Sequence, residues 1–417
     1  MKLSRRALLG ATAVTVAAST LPFARAWSQG ASASLPTIRI ATLTDLSGSY
    51  RDIGGPTSVA CTKQAVIDFN PVAHGFNVEL ISGDHQNKPD VGVSTVRQWY
   101  DRGGVDMVNE INNSAIALAL REISVAKNKV QLNSAPAFID LSGVSCTPNQ
   151  AQFSADTWML ANSNGTATVK TGGRKWFFIT ADYVFGKTLQ ADTTKFIEAA
   201  GGMVVGSAVY PFPETTDFAS YLLRAQASGA DTIGFANTGI DLDNCLKQAA
   251  EFGLVKKGIR MVGLNAFVTN IKAAGLEAAQ GLSVTEIFYW DLNDRTRAFM
   301  DRVKDKVAGN YPNQVHASAY SATLHYLKAV KELGVERAKA SGRDVIEMMK
   351  KMPMDDDAFG PGKIRLDGRR VCPAYLFRVK RPDQSKNPWD VYELLATTPA
   401  EQAVKPLNEG GCPLVKT

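Results

Sequence analysis

Four histidines, five cysteines and a run of three aspartates are the residues with the most reactive chemistry to offer. None falls into a catalytic spacing. His316 and His325 lie nine residues apart on a helix-like run, and His74 and His85 stand alone. Neither H-E-x-x-H nor G-x-S-x-G occurs, so zinc-protease and serine-hydrolase chemistry lack their starting constellations. "MDDDAF", with Asp355 to Asp357, lacks the alternating ligands of a calcium loop and reads as a solvated acidic turn. No C-x-x-C is present, which removes zinc and thioredoxin-type redox readings. No catalytic residue, metal or cofactor is expected, and a secreted enzyme is the weakest functional class.

A phosphate cradle is the next chemistry to weigh. "TDLSGSYRDIGGP" links an alternating apolar run, "TIRIATL", to a helix-like run, "TSVACTKQAVIDF". Gly48 and Gly54 have five residues between them, and Gly55-Pro56 follows. A P-loop needs four residues between its glycines and then Lys and Ser or Thr; a dinucleotide fold needs G-x-G-x-x-G. Asp84, placed where an acid would hold a ribose, means little without those glycines. The loop has the position of a nucleotide site without its residues.

Binding of a small solute fits better. Small or polar residues recur just beyond strand-like runs. After "VDMVNEI" come Asn112, Asn113 and Ser114. Ser114 either caps the following helix and does nothing more, or joins free backbone N–H groups in holding an anion such as a carboxylate. After "KVQLNS" come Ala135, Pro136 and Ala137, small enough for a ligand to approach the backbone. Tyr183 and Phe185 follow "FFITAD", Thr238, Gly239 and Asp241 follow "IGFAN", and Asn265 and Phe267 follow "MVGL". Aromatic residues at successive strand ends suit a pocket wall.

The elements that must position these residues alternate strand and helix almost throughout, as in parallel-sheet α/β folds. A helix is expected from Pro56 to about Phe69, with Val59, Ala60, Val66 and Ile67 as its buried face. The pattern runs to "KVQLNSA" and restarts at "RKWFFITAD", so two α/β lobes follow one another. The joint lies in the helixless stretch 147–157. "GKIRLDGRRVCPAYLFRVKRP" reads as two strands around "LDGRR", and residues 383–417 as Pro-rich and irregular. Ligands of open α/β sheets bind beyond the carboxyl ends of the strands, and two facing lobes would share one cleft.

The 417 residues favour two domains, and 45% hydrophobic with 21% charged residues is a globular balance. The first 26 residues read as an export signal. A basic start, an apolar run from Ala7 to Ala18 and Ala24-Arg25-Ala26 precede a cut after Ala26. Arg5-Arg6 resembles a twin-arginine signal. Removing Lys2, Arg5, Arg6 and Arg25 takes four charges from the formal +6 and leaves +2. Nucleic-acid binding thereby loses its electrostatic support. Export permits disulfides. Cys146 and Cys412, both in Pro-containing irregular segments, are the preferred pair, whereas Cys61 and Cys245 sit in helix-like runs as buried thiols.

"IATLTDLSGSYRDIGGP", "HQNKPDVG", "INNSAIALAL", "DYVFGKTLQ", "TDFASYLLRAQASGADTIGFANTG", "NCLKQAAEFGL" and the ending "CPLV" together resemble the type I periplasmic solute-binding proteins of ABC importers, in the leucine/isoleucine/valine-binding branch. The resemblance spans about residues 37–417. It implies two Rossmann-like lobes with parallel-sheet cores joined by three hinge crossings, roughly 37–155 with 286–362 and 156–285 with 363–417. It implies a monomeric periplasmic receptor that closes on a small-molecule solute, delivers it to a membrane permease and performs no catalysis. A sensor for signalling is the alternative class on the same fold. The tail at Cys412 would return towards Cys146. The resemblance carries a ligand-binding role onto Ser114 with Asn113, onto the backbone around Pro136 and Ala137, onto Phe185 with Tyr183, and onto Thr238-Gly239.

One departure bears on the ligand. Amino-acid binders of this family usually carry an acid after the strand matching "MVGLNAF"; here Asn265 stands there. An ammonium buried without a counter-charge is costly. Unless Asp241 substitutes, the expected ligand is a carboxylate with an apolar, preferably aromatic, body, and a branched-chain amino acid is the alternative. Arg51 either pairs with that carboxylate or is a solvated loop residue, and Tyr50 beside it faces the cleft.

Overall fold

A computed structural model describes residues 35–416; the export signal lies outside the described residues. The first sheet has five parallel strands: β1 (Thr37–Thr44), β2 (Asn77–Asp84), β3 (Met107–Glu110), β4 (Val130–Asn133) and β5 (Gln150–Gln152). Their order is β2-β1-β3-β4-β5, with α1 (Gly55–Phe69), α2 (Pro89–Asp101) and α3 (Ser114–Ala126) as crossovers. α4 (Thr157–Lys170) then leads into a second set of parallel strands, β6 (Lys175–Ala181), β7 (Met203–Tyr210), β8 (Thr232–Ala236), β9 (Arg260–Gly263) and β10 (Ser283–Glu286). α5 (Val184–Ala199), α6 (Ala219–Ala227) and α7 (Ile240–Glu251) connect the earlier of these.

The chain then returns to the first lobe. Helices Asp294–Val303, Gln314–Leu333 and Gly342–Lys351 bring Phe299, Leu327 and Ile346 into one core with Ile38, Ile40 and Phe153. β11 (Met354–Asp356), β12 (Gly360–Ile364) and β13 (Arg370–Val371) form a small antiparallel sheet. β14 (Ala374–Val379) and β15 (Tyr392–Thr398) extend the second sheet to the order β15-β14-β10-β9-β8-β6-β7. The chain therefore crosses between lobes three times, after β5, after β10 and after β13.

Three local expectations change. α1 buries Thr57, Cys61, Ala65 and Phe69, spaced four apart, while Ile67 is 55% exposed. The helix lies against Gln314–Leu333, and that approach turns its smaller side chains inward. The segment 360–379 holds three strands: β12 and β13 pair around the turn, and β14 leaves to join β10. Residues 392–398 form the edge strand β15, whose outward residues Leu394 and Leu395 are exposed, so no apolar alternation marked it. The acidic turn is also partly internal: Asp356 is buried and accepts from Ser321 and from the Ala358 and Phe359 N–H groups. Cys146 and Cys412 are joined, with Cα atoms 5.6 Å apart, while Cys61, Cys245 and Cys372 are buried thiols.

Candidate functional site: a closed cleft between the lobes

The loop after β1 carries an anion of its own, Asp45. The Asp45 carboxylate accepts the N–H groups of Ser47 (3.3 Å), Gly48 (2.6 Å) and Tyr50 (2.9 Å), and the Asn87 amide. The donors that would cradle an anion already have one, built into the chain. The same folding turns Tyr50 inward, where it is buried, and leaves Arg51 exposed. Asn112 clamps this loop from β3: its amide donates to Tyr50 O (3.1 Å) and accepts from Asp45 N (2.8 Å).

β3 ends under strain. Glu110 and Ile111 have φ of 80° and 61°, uncommon for residues with a Cβ and rarest for a β-branched one. That bend delivers Asn113 as the N-cap of α3, accepting from Ala115 N and Ile116 N. The cap is thus Asn113 rather than Ser114, and the Ser114 hydroxyl is released from capping. Beneath them Glu110 is buried with its carboxyl pushed up to about 8 by desolvation, against a hydrogen bond from Thr44 Oγ1 (3.3 Å).

From the second lobe, α5 begins just past Tyr183 and carries Phe185 in its first turn. Tyr50 and Tyr183 share a hydroxyl–hydroxyl bond of 2.7 Å, and Phe212 stacks on both rings, at 5.2 Å and 4.8 Å between centroids. Ile240 N donates to Ser49 O (3.1 Å) across the same gap. The lobes are therefore closed on each other.

Between them lies a tight cavity of about 20 Å³, lined by Tyr50, Ile53, Asn112, Asn113, Ser114, Ala135, Pro136, Ala137, Tyr183, Phe185, Thr238, Asn265, Phe267 and Val315. Larger depressions, such as one of about 730 Å³ around Arg302 and Asp357, lie outside the cleft and are open to solvent. No lining residue carries a charge. Eleven of the fourteen residues singled out from sequence line the cavity; Arg51, Gly239 and Asp241 do not. Arg51 points to solvent because its neighbour Tyr50 takes the inward place. Gly239, at φ 64°, is a contact point between lobes, where an added Cβ would lie 2.3 Å from Ser49 O. Asp241 is buried one layer back, accepting from Tyr210 OH at 2.7 Å, and burial pushes its carboxyl up to about 7. Ile53 and Val315 were not anticipated, and Asn112 was named at its strand end without a ligand role. Asn112 was adjacent to two expected residues, whereas Val315 arrives on a helix from the far end of the sequence.

His316 and His325 have structural places. The His316 ring accepts from Asn313 N and meets Gly54 O, both at 3.0 Å, and burial lowers its pKa to about 3. His325 meets Met349 O at 2.8 Å. Among the described residues no cluster of His, Cys, Asp or Glu is arranged to hold a metal ion.

Two hinged α/β lobes closed over a buried, uncharged cavity define a solute-binding protein. The family model described as periplasmic binding protein matches residues 37–386, and the chain belongs to that family. A periplasmic binding protein from Burkholderia mallei is 39% identical, with a TM-score of 0.86, over 91% of this chain and 99% of the other. A branched chain amino acid ABC transporter periplasmic ligand-binding protein from Burkholderia xenovorans LB400 is 37% identical, with a TM-score of 0.78, over 90% and 99%. An ABC transporter solute-binding protein from R. palustris in complex with benzoate shares the fold at 18% identity, with a TM-score of 0.77, over 90% and 99%.

Proposed function

We propose that the chain captures a small monocyclic aromatic acid between its lobes and hands it to the membrane permease of an ABC importer. It acts as a monomer, without turnover and without a nucleic-acid partner, after export behind a signal cut following Ala26. The lobes are taken as 37–155 with 286–371 and 156–285 with 372–417, the third crossing following β13 rather than residue 362. The observation that carries this reading is the lining: aromatic and small side chains, three asparagines, a serine and a threonine, and no charged side chain. A zwitterion enclosed there would leave its ammonium unpaired, a large desolvation cost. A carboxylate can instead be met by Ser114 and the start of α3, where the helix dipole favours an anion. The rings of Tyr183, Phe185 and Phe267 suit a flat apolar body.

The alternative, a branched-chain amino acid, is the ligand class in the name of the Burkholderia xenovorans relative. It would require Asp241 to leave Tyr210 and ionise. A thermal-shift panel separates the two. Benzoate-class acids at about a hundred times their dissociation constant raise unfolding free energy by about 2.7 kcal/mol, and leucine, isoleucine and valine leave the melting temperature unmoved. Stabilisation by leucine without a response to aromatic acids overturns the proposal.

A further inference from the structure

The cavity wall opposite Ser114 carries two oxygens with nothing to bond. Thr238 and Asn265 both line the cavity and are 3% and 5% exposed, yet Thr238 Oγ1 and Asn265 Oδ1 have no hydrogen-bond partner. Each buried orphan of this kind costs about 1–3 kcal/mol, and native proteins seldom keep one without a reason. The two belong together. β8 and β9 are neighbouring parallel strands whose last paired positions are Phe235 and Gly263. Thr238 and Asn265 lie three and two residues beyond that pair, at the same end of the two strands, and both line the cavity. Asn237 Oδ1 is also unpartnered but does not line the cavity, and other polar groups nearby are engaged. Tyr50 and Tyr183 bond each other, Asp241 holds Tyr210, and Asp243 holds Asn270.

We infer that Thr238 and Asn265 form a subsite for an uncharged hydroxyl at the end of the ring opposite the carboxylate, so that the ligand is a hydroxylated aromatic acid. This rests on the aromatic-acid reading and narrows it. A hydroxyl is the group that satisfies both residues at once, donating to the Asn265 carbonyl oxygen and accepting from the Thr238 hydroxyl. It also matches either orientation of the Asn265 amide, because it both donates and accepts. A methyl group or hydrogen in its place leaves both oxygens unpaired inside a closed cleft. Sites that hydrogen-bond a ligand hydroxyl discriminate strongly against the analogue lacking it, for that reason. A bare ammonium finds one neutral acceptor and a hydroxyl there but no negative charge.

The test is titration calorimetry with benzoate, 4-methylbenzoate and 4-hydroxybenzoate on the full mature protein and on Thr238→Val and Asn265→Leu. Thr238→Val keeps the side-chain shape, so it reports on the subsite even if Asn265→Leu folds poorly. The expected result is 4-hydroxybenzoate binding about tenfold or more tighter than 4-methylbenzoate, as one well-made hydrogen bond provides. That ratio shrinks about fivefold or more in each folded variant. Equal binding of the hydroxyl and methyl acids, or a ratio the variants leave unchanged, overturns the subsite while benzoate binding keeps the aromatic-acid reading intact. Failure of all three acids to bind overturns that reading, and the subsite with it.

Discussion

The two walls of the cavity are built from the same kind of parallel α/β lobe and differ in what they offer. The first wall is polar and preorganised. Asn112 and Asn113 are fixed by named hydrogen bonds, and a strained turn at Glu110–Ile111 places Ser114 at the start of a helix. The second wall is aromatic, with Tyr183, Phe185 and Phe267, and its nearest acid is turned away to Tyr210. The difference teaches where specificity lies. Under the proposed function, the first lobe recognises the carboxylate and the second decides what sort of body that carboxylate is attached to.

Breaking the aromatic wall should have the largest effect. Phe185 is 2% exposed and packs into the second lobe's core, so Phe185→Ala is expected to cost about 3–5 kcal/mol of stability, read by urea denaturation of the ligand-free protein. Next comes the contact that joins the walls. In Gly239→Ala the new Cβ meets Ser49 O and strains a residue at φ 64°, so ligand affinity should fall by about 1–3 kcal/mol, with small-angle scattering showing incomplete compaction in ligand. The polar wall is tested by Ser114→Ala, which should weaken carboxylate binding by about 1–3 kcal/mol without changing the melting temperature of the free protein; an unchanged dissociation constant removes Ser114 from the site.

The diverted acids give a pH signature. Asp241 is raised to about 7 and Glu286, bonded to Tyr392 OH and Val268 N, to about 8, in each case chiefly by desolvation. Each carboxyl stays protonated in the folded protein at pH values where the unfolded chain has ionised. Their stabilisation is complete below the unfolded carboxylate range and is lost as pH rises through the folded values. Wild-type melting temperature should therefore carry a falling component from about pH 4 to 8, and Asp241→Asn should flatten its lower part while leaving aromatic-acid affinity within about 0.5 kcal/mol. The smallest effect is expected of Arg51→Ala, again within about 0.5 kcal/mol for binding, because Arg51 faces solvent.

Much of the cavity was legible because topology fixes it. In a parallel α/β lobe the residues just past each strand must face the cleft, so Ser114, Ala137, Phe185 and Asn265 could be named from strand ends alone. What was hidden depended on three-dimensional choices between neighbours. Tyr50 and Arg51 are adjacent, and only the Asp45 hydrogen bonds decide which turns inward. Asp241 is drawn away by Tyr210, thirty-one residues earlier. Val315 reaches the cavity only because the chain crosses back after β10. β15 escaped notice because an edge strand with an exposed outer face needs no apolar alternation.

The most direct test of the account is a crystal structure of the protein with 4-hydroxybenzoate. The account predicts the carboxylate within hydrogen-bond distance of Ser114, the ring against Tyr183 and Phe185, and Asp241 still bonded to Tyr210. A ligand bound elsewhere, or with its carboxylate turned towards the second lobe, would contradict it.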